Sequence, residues 1–294
     1  EIYCLILGEG ITSRSLDDNK SKLDLLKKNA IQAQKILGIK EIFFENFSDN
    51  RFDEKPLLDI VKKVEEHVYN IKPDIIFVAG WRYKIPKEQY SIPSKGCIVF
   101  HDSLLPKYRG FAPMNWAIIN GEKQIGATMF YIADEIDSGD VITQRSVDVE
   151  LLDTAESLEK AIAKFYTDML EGILLVIESG QVNRRPQDHS KATYTCKRTP
   201  EDGLIDWRQS SMQIYNLIRG LSYPYPNAFT YLNGKKIYIG KAKLNESKNY
   251  VGRIAGKVVA IVEGKWIEVL TGDGSLIVKT DGLIKSIKTT LGRS

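Results

Sequence analysis

The chain has 294 residues, 43% of them hydrophobic, and its 41 lysines and arginines against 38 aspartates and glutamates give a formal net charge of +3. This length allows two domains with a large core, and the charge is too nearly balanced to indicate nucleic-acid binding by itself. The three cysteines form no C-x-x-C pair, so we expect neither disulfides nor a bound metal. No apolar run reaches 18 residues and no signal-peptide pattern is found, so we expect a cytoplasmic protein without membrane spans.

Strands and amphipathic helices alternate over the first 80 residues. Short apolar runs predict buried strands at 2–7, 41–47 and 74–80, and apolar residues at helical spacing predict helices at 21–37 and 57–68. Strands that alternate with helices are typical of a doubly wound parallel sheet. The sequence therefore predicts an α/β domain at the start of the chain.

A polar cluster follows the next buried strand. Residues 98–100 are apolar and end at His101, and the ends of such strands are where open α/β sheets bind ligands. A helix at 114–119 and a strand at 127–132 follow, and the chain then enters an acid-rich segment. Within that segment Asp137 is the carboxylate that we expect to take part in catalysis.

The second half of the chain changes character from helical to β-rich. A long helix is predicted at 155–177 with Thr154 as its N-cap, and the polar segment 183–197 is typical of an interdomain linker. A helix at 211–221 comes before a hairpin with Asn233-Gly234 as its turn. The strands of that hairpin, together with runs at 258–262, 266–270 and 276–278, predict a small β-barrel.

Two segments carry a strong resemblance to a known family: residues 101–122, which begin with HDSLLPKYRG, and Asp137-Ser138-Gly139-Asp140. They closely resemble the catalytic core of the N10-formyltetrahydrofolate-dependent formyltransferases. The resemblance implies a Rossmann-like catalytic domain at 1–188, a linker at 189–203 and a C-terminal domain resembling an OB fold at 204–294. A homodimer is among the assemblies that it allows.

The family's catalytic residues carry over to two positions and fail at a third. His101 corresponds to the general base and Asp137 to the carboxylate that supports it, while the position of the family's asparagine is occupied by Val99. A histidine can accept the proton that the attacking amine loses near neutral pH. An asparagine amide would donate to the developing oxyanion, and valine has no such donor.

The resemblance also implies binding residues on both sides of the reacting group. Residues for the folate cofactor, N10-formyltetrahydrofolate, are expected at Trp81, Arg82, Tyr83, Ile85, Asp134, Glu135 and Ile136. Residues for the acceptor are expected at Ser103, Arg109, Phe111, Pro113 and Asn115.

The sequence leaves three functions open: two that differ in the molecule that accepts the formyl group, and one without catalysis. The run from Lys107 to Trp116 is similar to that of an enzyme acting on a UDP-linked amino arabinose, which favours a nucleotide-linked amino sugar, as in lipopolysaccharide biosynthesis. Methionyl-tRNA is the alternative, although no Lys/Arg-rich loop occurs before Gly80. The third is an inactive folate- or sugar-nucleotide-binding remnant, because of Val99.

Residues 2–74 bring a second resemblance. Segments 5–14, 33–38 and 49–60 are similar to the LmbE-like (PIG-L) zinc-dependent N-deacetylases of amino-sugar metabolism. The early Ala-His-Pro-Asp-Asp-Glu segment and the later histidine that hold the metal in that family are missing. The resemblance therefore implies no deacetylase activity for this chain.

Overall fold

The computed structural model describes residues 1–9, 19–48, 57–81, 83–245, 248–263, 265–282, 284, 286 and 289–292. The chain divides into two compact units, residues 1–72 and 73–294. The division expected from the sequence, with a linker at 189–203, stays a prediction.

The first unit is a parallel strand pair with two helices. Its elements are β1 (Tyr3–Glu9), α1 (Asn19–Leu37), β2 (Glu41–Ser48) and α2 (Leu57–Ile71). Strands β1 and β2 run parallel, with Tyr3 opposite Glu41, because a helical crossover lies between them. All four elements were predicted from the sequence. Residues 10–14 and 49–56, which carry part of the deacetylase resemblance, lie outside the described residues.

The second unit begins with a mixed four-stranded sheet. Its elements are β3 (Ile76–Val78), α3 (Lys87–Tyr90), β4 (Cys97–His101), β5 (Arg109–Gly110), α4 (Pro113–Ile119), β6 (Gln124–Tyr131), β7 (Val141–Asp148) and α5 (Ala155–Ser179). The strand order is β3-β4-β6-β7, and only β3 and β4 are parallel. Strands β6 and β7 lie outside the segment for which the sequence predicted a parallel sheet, and both run antiparallel to their neighbours. The connection between them is too short for a crossover helix and returns the chain antiparallel.

Helix α5 covers one face of this sheet. It begins at the predicted cap, where the Thr154 hydroxyl accepts from the Ser157 amide and the Ser157 hydroxyl accepts from the Thr154 amide. Its buried face includes Leu158 and Ile162, which pack against Ile98 and Met129 of the sheet. Ile173 and Ile177, one helical turn apart, also lie on this face, whereas Leu174 lies off it and is exposed.

The described residues of the C-terminal part include an open sheet and the α-helix that packs against it. Its elements are β8 (Tyr194–Thr195), α6 (Ser211–Gly220), β9 (Ala228–Leu232), β10 (Lys235–Asn245), β11 (Val258–Ile261), β12 (Trp266–Leu270) and β13 (Ser275–Thr280). The sheet order is β11-β12-β13-β10-β9, and among the described strands β9 and β11 do not pair with each other. The predicted barrel is therefore not confirmed. The predicted hairpin is confirmed, and Asn233 and Gly234 both have the positive φ that its turn requires.

The segment predicted to be a linker is anchored to the four-stranded sheet and to β5. Arg185 forms a bridge with Val141 at the start of β7, and β8 pairs in parallel with β5. These contacts bring residues 185–195 beside the Arg109–Gly110 strand. A segment that the sequence describes only as polar thus lies next to residues 103–110, which we call the motif loop.

Candidate functional site

A cleft of about 140 Å³ opens where β3 and β4 end. Val78 and His101, which end these strands, both line it, as expected for ligand sites in α/β sheets. Residues 81–85 supply part of the wall and residues 132–137 another part. The cleft therefore brings together segments that are far apart in the sequence.

A hydrogen bond to the backbone defines which tautomer the neutral ring of His101 adopts. Its Nε2 lies 2.8 Å from the carbonyl oxygen of Tyr108, and because a carbonyl oxygen only accepts, Nε2 is the nitrogen that donates. In the neutral ring Nδ1 is then unprotonated, and it lies 3.7 Å from Oδ2 of Asp137. The ring is buried and thus presents one basic nitrogen next to one carboxylate.

Asp137 is held in an unusual backbone conformation. Its φ is +50°, in the left-handed region that residues other than glycine rarely adopt. Its Oδ2 accepts a hydrogen bond from the Gly110 amide at 2.8 Å, and its own carbonyl accepts one from Nε2 of Gln187 at 2.9 Å. Two residues later, a Cβ on Gly139 would lie 1.8 Å from the Tyr131 carbonyl oxygen, so this position requires glycine. These contacts explain why the segment has the pattern Asp-x-Gly.

Val99 lies in β4 and lines the cleft together with His101. Its register partners are Val78 in β3 and Phe130 in β6. The side chain contributes surface but no hydrogen-bond donor. The structure therefore places the departure from the family pattern at the wall of the cleft.

Most of the residues expected to bind the cofactor line this cleft. They are Trp81, Tyr83, Ile85, Asp134, Glu135 and Ile136. The predicted residue Arg82 lies outside the described residues. The Trp81 and Tyr83 rings meet edge to face, with centroids 5.5 Å apart. The two predicted walls are thus brought opposite each other.

The acidic wall is tied to α3. The Tyr90 hydroxyl donates to Asp134, and Lys87 Nζ lies 3.5 Å from the same carboxylate. The hydrogen bond from Tyr90, with the charge of Lys87, lowers the pKa of Asp134, and the same hydrogen bond raises the pKa of Tyr90 to about 12. These contacts position the loop that ends at Asp137.

The five residues expected to bind the acceptor are not brought together. Phe111 lines the cleft, whereas Ser103, Arg109, Pro113 and Asn115 are buried and are not part of its lining. The Ser103 hydroxyl donates to the Lys107 carbonyl at 2.7 Å, and the Asn115 amide donates to the Gly220 carbonyl at 2.8 Å. Pro113 begins α4. The contacts of Ser103, Pro113 and Asn115 thus shape the motif loop and join α4 to α6.

Arg109 makes contacts that the sequence did not predict. Its guanidinium, 1% exposed, donates to Oε1 of Gln187 at 2.7 Å, to Nδ1 of His189 at 3.1 Å and to the Tyr194 hydroxyl at 3.2 Å. All three partners come from the segment predicted to be a linker, and His189 and Tyr194 are themselves exposed. The sequence shows these three polar side chains close together, but no motif or spacing rule links them to residue 109.

A second cleft of about 450 Å³ is lined in part by Lys107 and Tyr108 of the motif loop. Its lining is Lys107, Tyr108, Trp116, Asn120, Glu122, Thr193, Tyr194, Thr195 and Cys196. The Tyr108 hydroxyl donates to Glu122 at 2.8 Å, and burial raises the pKa of Tyr108 to about 12. The carbonyl of Tyr108 accepts from His101, so one hydrogen bond links a residue that lines the second cleft to a residue that lines the first.

Two other kinds of feature were sought in the part of the chain that the structure describes. It contains no group of three His, Cys, Asp or Glu side chains arranged to hold a metal ion. None of its helices combines the length and the apolar character needed to cross a bilayer.

Family comparisons match both halves of the chain. The model described as formyl transferase matches residues 26–174, and the model of the formyl transferase C-terminal domain matches residues 197–283. The first match includes most of the segment whose sequence resembles deacetylases, and that resemblance stays a prediction.

Two relatives illustrate the range of the similarity. The chain is 38% identical over 236 residues to the methionyl-tRNA formyltransferase of Fusobacterium nucleatum, which covers 80% of this chain and 72% of the relative. It is 39% identical over 209 residues to the bifunctional polymyxin resistance protein ArnA of Wigglesworthia glossinidia brevipalpis, covering 70% of this chain and 32% of that protein.

Solved structures show the same fold. HypX from Aquifex aeolicus in complex with tetrahydrofolic acid matches with a TM-score of 0.64 at 19% identity over 94% of this chain, which spans only 43% of HypX. The N-formyltransferase from Helicobacter canadensis, in complex with folinic acid and dTDP-3-aminofucose, matches with a TM-score of 0.58 at 19% identity, covering 95% of this chain and 100% of that one. Since both family models and a relative at 38% identity match, this chain belongs to the formyl transferase family.

Proposed function

We propose that this chain transfers the formyl group of N10-formyltetrahydrofolate to the amine of a nucleotide-linked amino sugar. Formyl transfer from a formyl-folate follows from the family, and solved relatives hold tetrahydrofolate or folinic acid. The observation that carries the proposal is the pair formed by Nδ1 of His101 and the carboxylate of Asp137, at the end of a cleft lined by the expected folate residues.

The cleft suits the pterin end of the donor. Trp81, Tyr83 and Phe130 provide aromatic surface, and Ile85 and Ile136 provide aliphatic surface. Ligand sites of this kind are mostly apolar, with a few polar groups that fix orientation. We assign the cleft to the donor, with the formyl carbon near His101.

The chemical step uses the basic nitrogen of His101. The amine nitrogen attacks the formyl carbon, a carbon–nitrogen bond forms, and the proton that the amine loses goes to Nδ1. Oδ2 of Asp137, 3.7 Å away, then stabilises the imidazolium. When the bond from the formyl carbon to N10 breaks, the proton goes to N10, so tetrahydrofolate and a formamide are the products. Positioned proton transfer of this kind contributes roughly 10²–10⁴-fold in rate.

Val99 weakens one part of this mechanism. Loss of a single oxyanion donor costs about 10²–10³-fold in kcat. The base and its carboxylate are both retained, so we expect an active but slow enzyme rather than an inactive remnant.

The second cleft supports the sugar assignment. Trp116 and Tyr194 offer aromatic faces for a base or a sugar ring, and Lys107 is an exposed cation suited to a diphosphate. Arg198 lies over the Trp116 ring at 5.4 Å and adds a second positive charge at this edge. Tyr108 lines this cleft and its carbonyl contacts His101, so we place the acceptor here with its amine directed towards His101.

One observation favours methionyl-tRNA as the alternative acceptor. On the outer face of the C-terminal sheet, Lys241 lies opposite Lys279, and Lys279 lies opposite Trp266. Lys243 is on the same face, with Nζ 5.0 Å from the centroid of the Trp266 ring. Cations beside an aromatic ring form a surface suited to a nucleic-acid backbone and an unpaired base.

The test is a formyl-transfer assay with N10-formyltetrahydrofolate and two sets of acceptors. One set contains dTDP-, UDP- and GDP-linked amino sugars, and the other contains methionyl-tRNA at low and high salt. We expect a formamide product with an amino sugar and no product with tRNA. Product with tRNA alone would establish the alternative acceptor. No product with any acceptor would support the inactive folate- or sugar-nucleotide-binding protein.

A further inference from the structure

We propose that Gln187 is a positioning residue for the transfer reaction, acting through Asp137. Its side-chain amide, 7% exposed, donates from Nε2 to the carbonyl of Asp137 at 2.9 Å and to the carbonyl of Gly139 at 2.7 Å. One side chain from the 183–197 segment thus clamps both ends of the Asp-x-Gly turn. This inference rests on the proposed function only for the role of Asp137.

The turn requires such a clamp because of its backbone. With φ at +50°, Asp137 occupies a region that residues other than glycine rarely adopt and that persists only where the surroundings hold it. Its carboxylate must also remain near the Gly110 amide and near Nδ1 of His101. If the turn relaxed, the carboxylate would move away from the imidazole that it stabilises.

Arg109 determines which way the amide of Gln187 points. Its guanidinium donates to Oε1 of Gln187, so the amide nitrogen must face the two turn carbonyls. The guanidinium is itself held by His189 and Tyr194. Arg109 therefore orients Gln187, which orients Asp137, which supports His101.

Gln187 contacts the backbone of Asp137 and does not line the cleft. Removing its donors should therefore lower kcat while leaving the KM for the formyl donor unchanged. Supporting hydrogen bonds of this kind, where they orient metal ligands, typically contribute 10–100-fold. We expect a loss of that size here.

The variant that isolates the clamp is Gln187→Glu. It keeps the size of the side chain and an acceptor for Arg109, but it places an oxygen where Nε2 now donates to two carbonyls. Gln187→Met, which also lacks the donors, is the second variant if the first does not fold. The matched control is Gln209→Glu, an exposed position away from both clefts, and thermal unfolding checks all three.

Two readouts separate positioning from general structural damage. In an Asp137→Ala background, Gln187→Glu should cost less than about twofold more in kcat, because residues that act as a unit are not additive. In the otherwise wild-type chain, the amide resonance of Gly110 should move, because its hydrogen bond to Asp137 weakens.

An unchanged kcat would overturn the proposal, and so would equal losses in both backgrounds with the Gly110 resonance in place. The Gly110 readout does not need turnover. If the wild-type chain forms no product, the proposed function fails, and the resonance still decides whether Gln187 positions Asp137.

Discussion

The carbonyl oxygen of Tyr108 accepts a 2.8 Å hydrogen bond from Nε2 of His101. Tyr108 has a φ of +59°, so this left-handed residue turns its carbonyl towards the histidine. The bond leaves Nδ1 of the neutral ring as the nitrogen that faces Asp137. The motif loop thereby sets the tautomer of the proposed base.

Replacement of His101 should remove the proton acceptor. We expect His101→Asn to lower kcat by about 10²–10⁴-fold with little change in the KM for the formyl donor, since an asparagine amide does not accept the amine proton. Steady-state kinetics measure this. His67→Gln, in the first unit, is the control and should behave like the wild type. A His101→Asn enzyme within threefold of wild-type turnover would rule out this histidine as the base.

Val99→Asn should restore a missing donor. An amide at this position in the cleft wall can reach a developing oxyanion, so we expect kcat to rise, by up to about 10²-fold. Val99→Leu adds no donor and serves as the control for changed packing. Equal rates for wild type and Val99→Asn would mean that another group already stabilises the oxyanion.

The lysines on the C-terminal sheet test the tRNA alternative. With Lys241, Lys243 and Lys279 changed together to Glu, formylation of an amino sugar should keep its wild-type kcat/KM, because these residues lie on the outer face of that sheet. Loss of activity towards methionyl-tRNA, with a weaker salt dependence of binding, would instead identify this face as a nucleic-acid surface.

Trp116 tests the location of the acceptor. Since an aromatic face contributes about 1–3 kcal/mol per stacked base, Trp116→Ala should raise the KM for a nucleotide-linked amino sugar roughly 5- to 150-fold. The KM for the formyl donor should stay unchanged, because Trp116 does not line the first cleft. Trp266→Ala provides the matched control on the outer sheet face. A selective effect on the formyl donor would place the sugar elsewhere.

The cysteines should differ in reactivity. Burial raises the pKa of the Cys97 thiol to about 12, whereas Cys196 is exposed. Because the thiolate is the reactive form, a thiol reagent at pH 8 should modify Cys196 rapidly and Cys97 only after unfolding. The third thiol, Cys4, is removed by Cys4→Ser, and released reagent is then counted with and without Cys196→Ser. A fast reaction at Cys97 in the folded protein would contradict its burial.

Local sequence patterns predicted most of the elements in chain order. Helical spacing located α1, α2, α5 and α6, and the Asn233-Gly234 pair located the β9–β10 hairpin. These features depend on residues a few positions apart, so periodicity and turn chemistry reveal them. The antiparallel return of β7 and the open edge of the C-terminal sheet depend on pairing between distant strands, and no local pattern specified them.

The same distinction applies to the site. His101, Asp137 and most of the other residues predicted for the donor side come from contiguous motifs, which the sequence displays directly, and the structure places them around one cleft. Only the tertiary structure brought Gln187 to Asp137, across 50 positions of sequence. A single glutamine in a polar segment has no periodicity or motif, and its hydrogen bonds exist only after the chain between the two residues has folded.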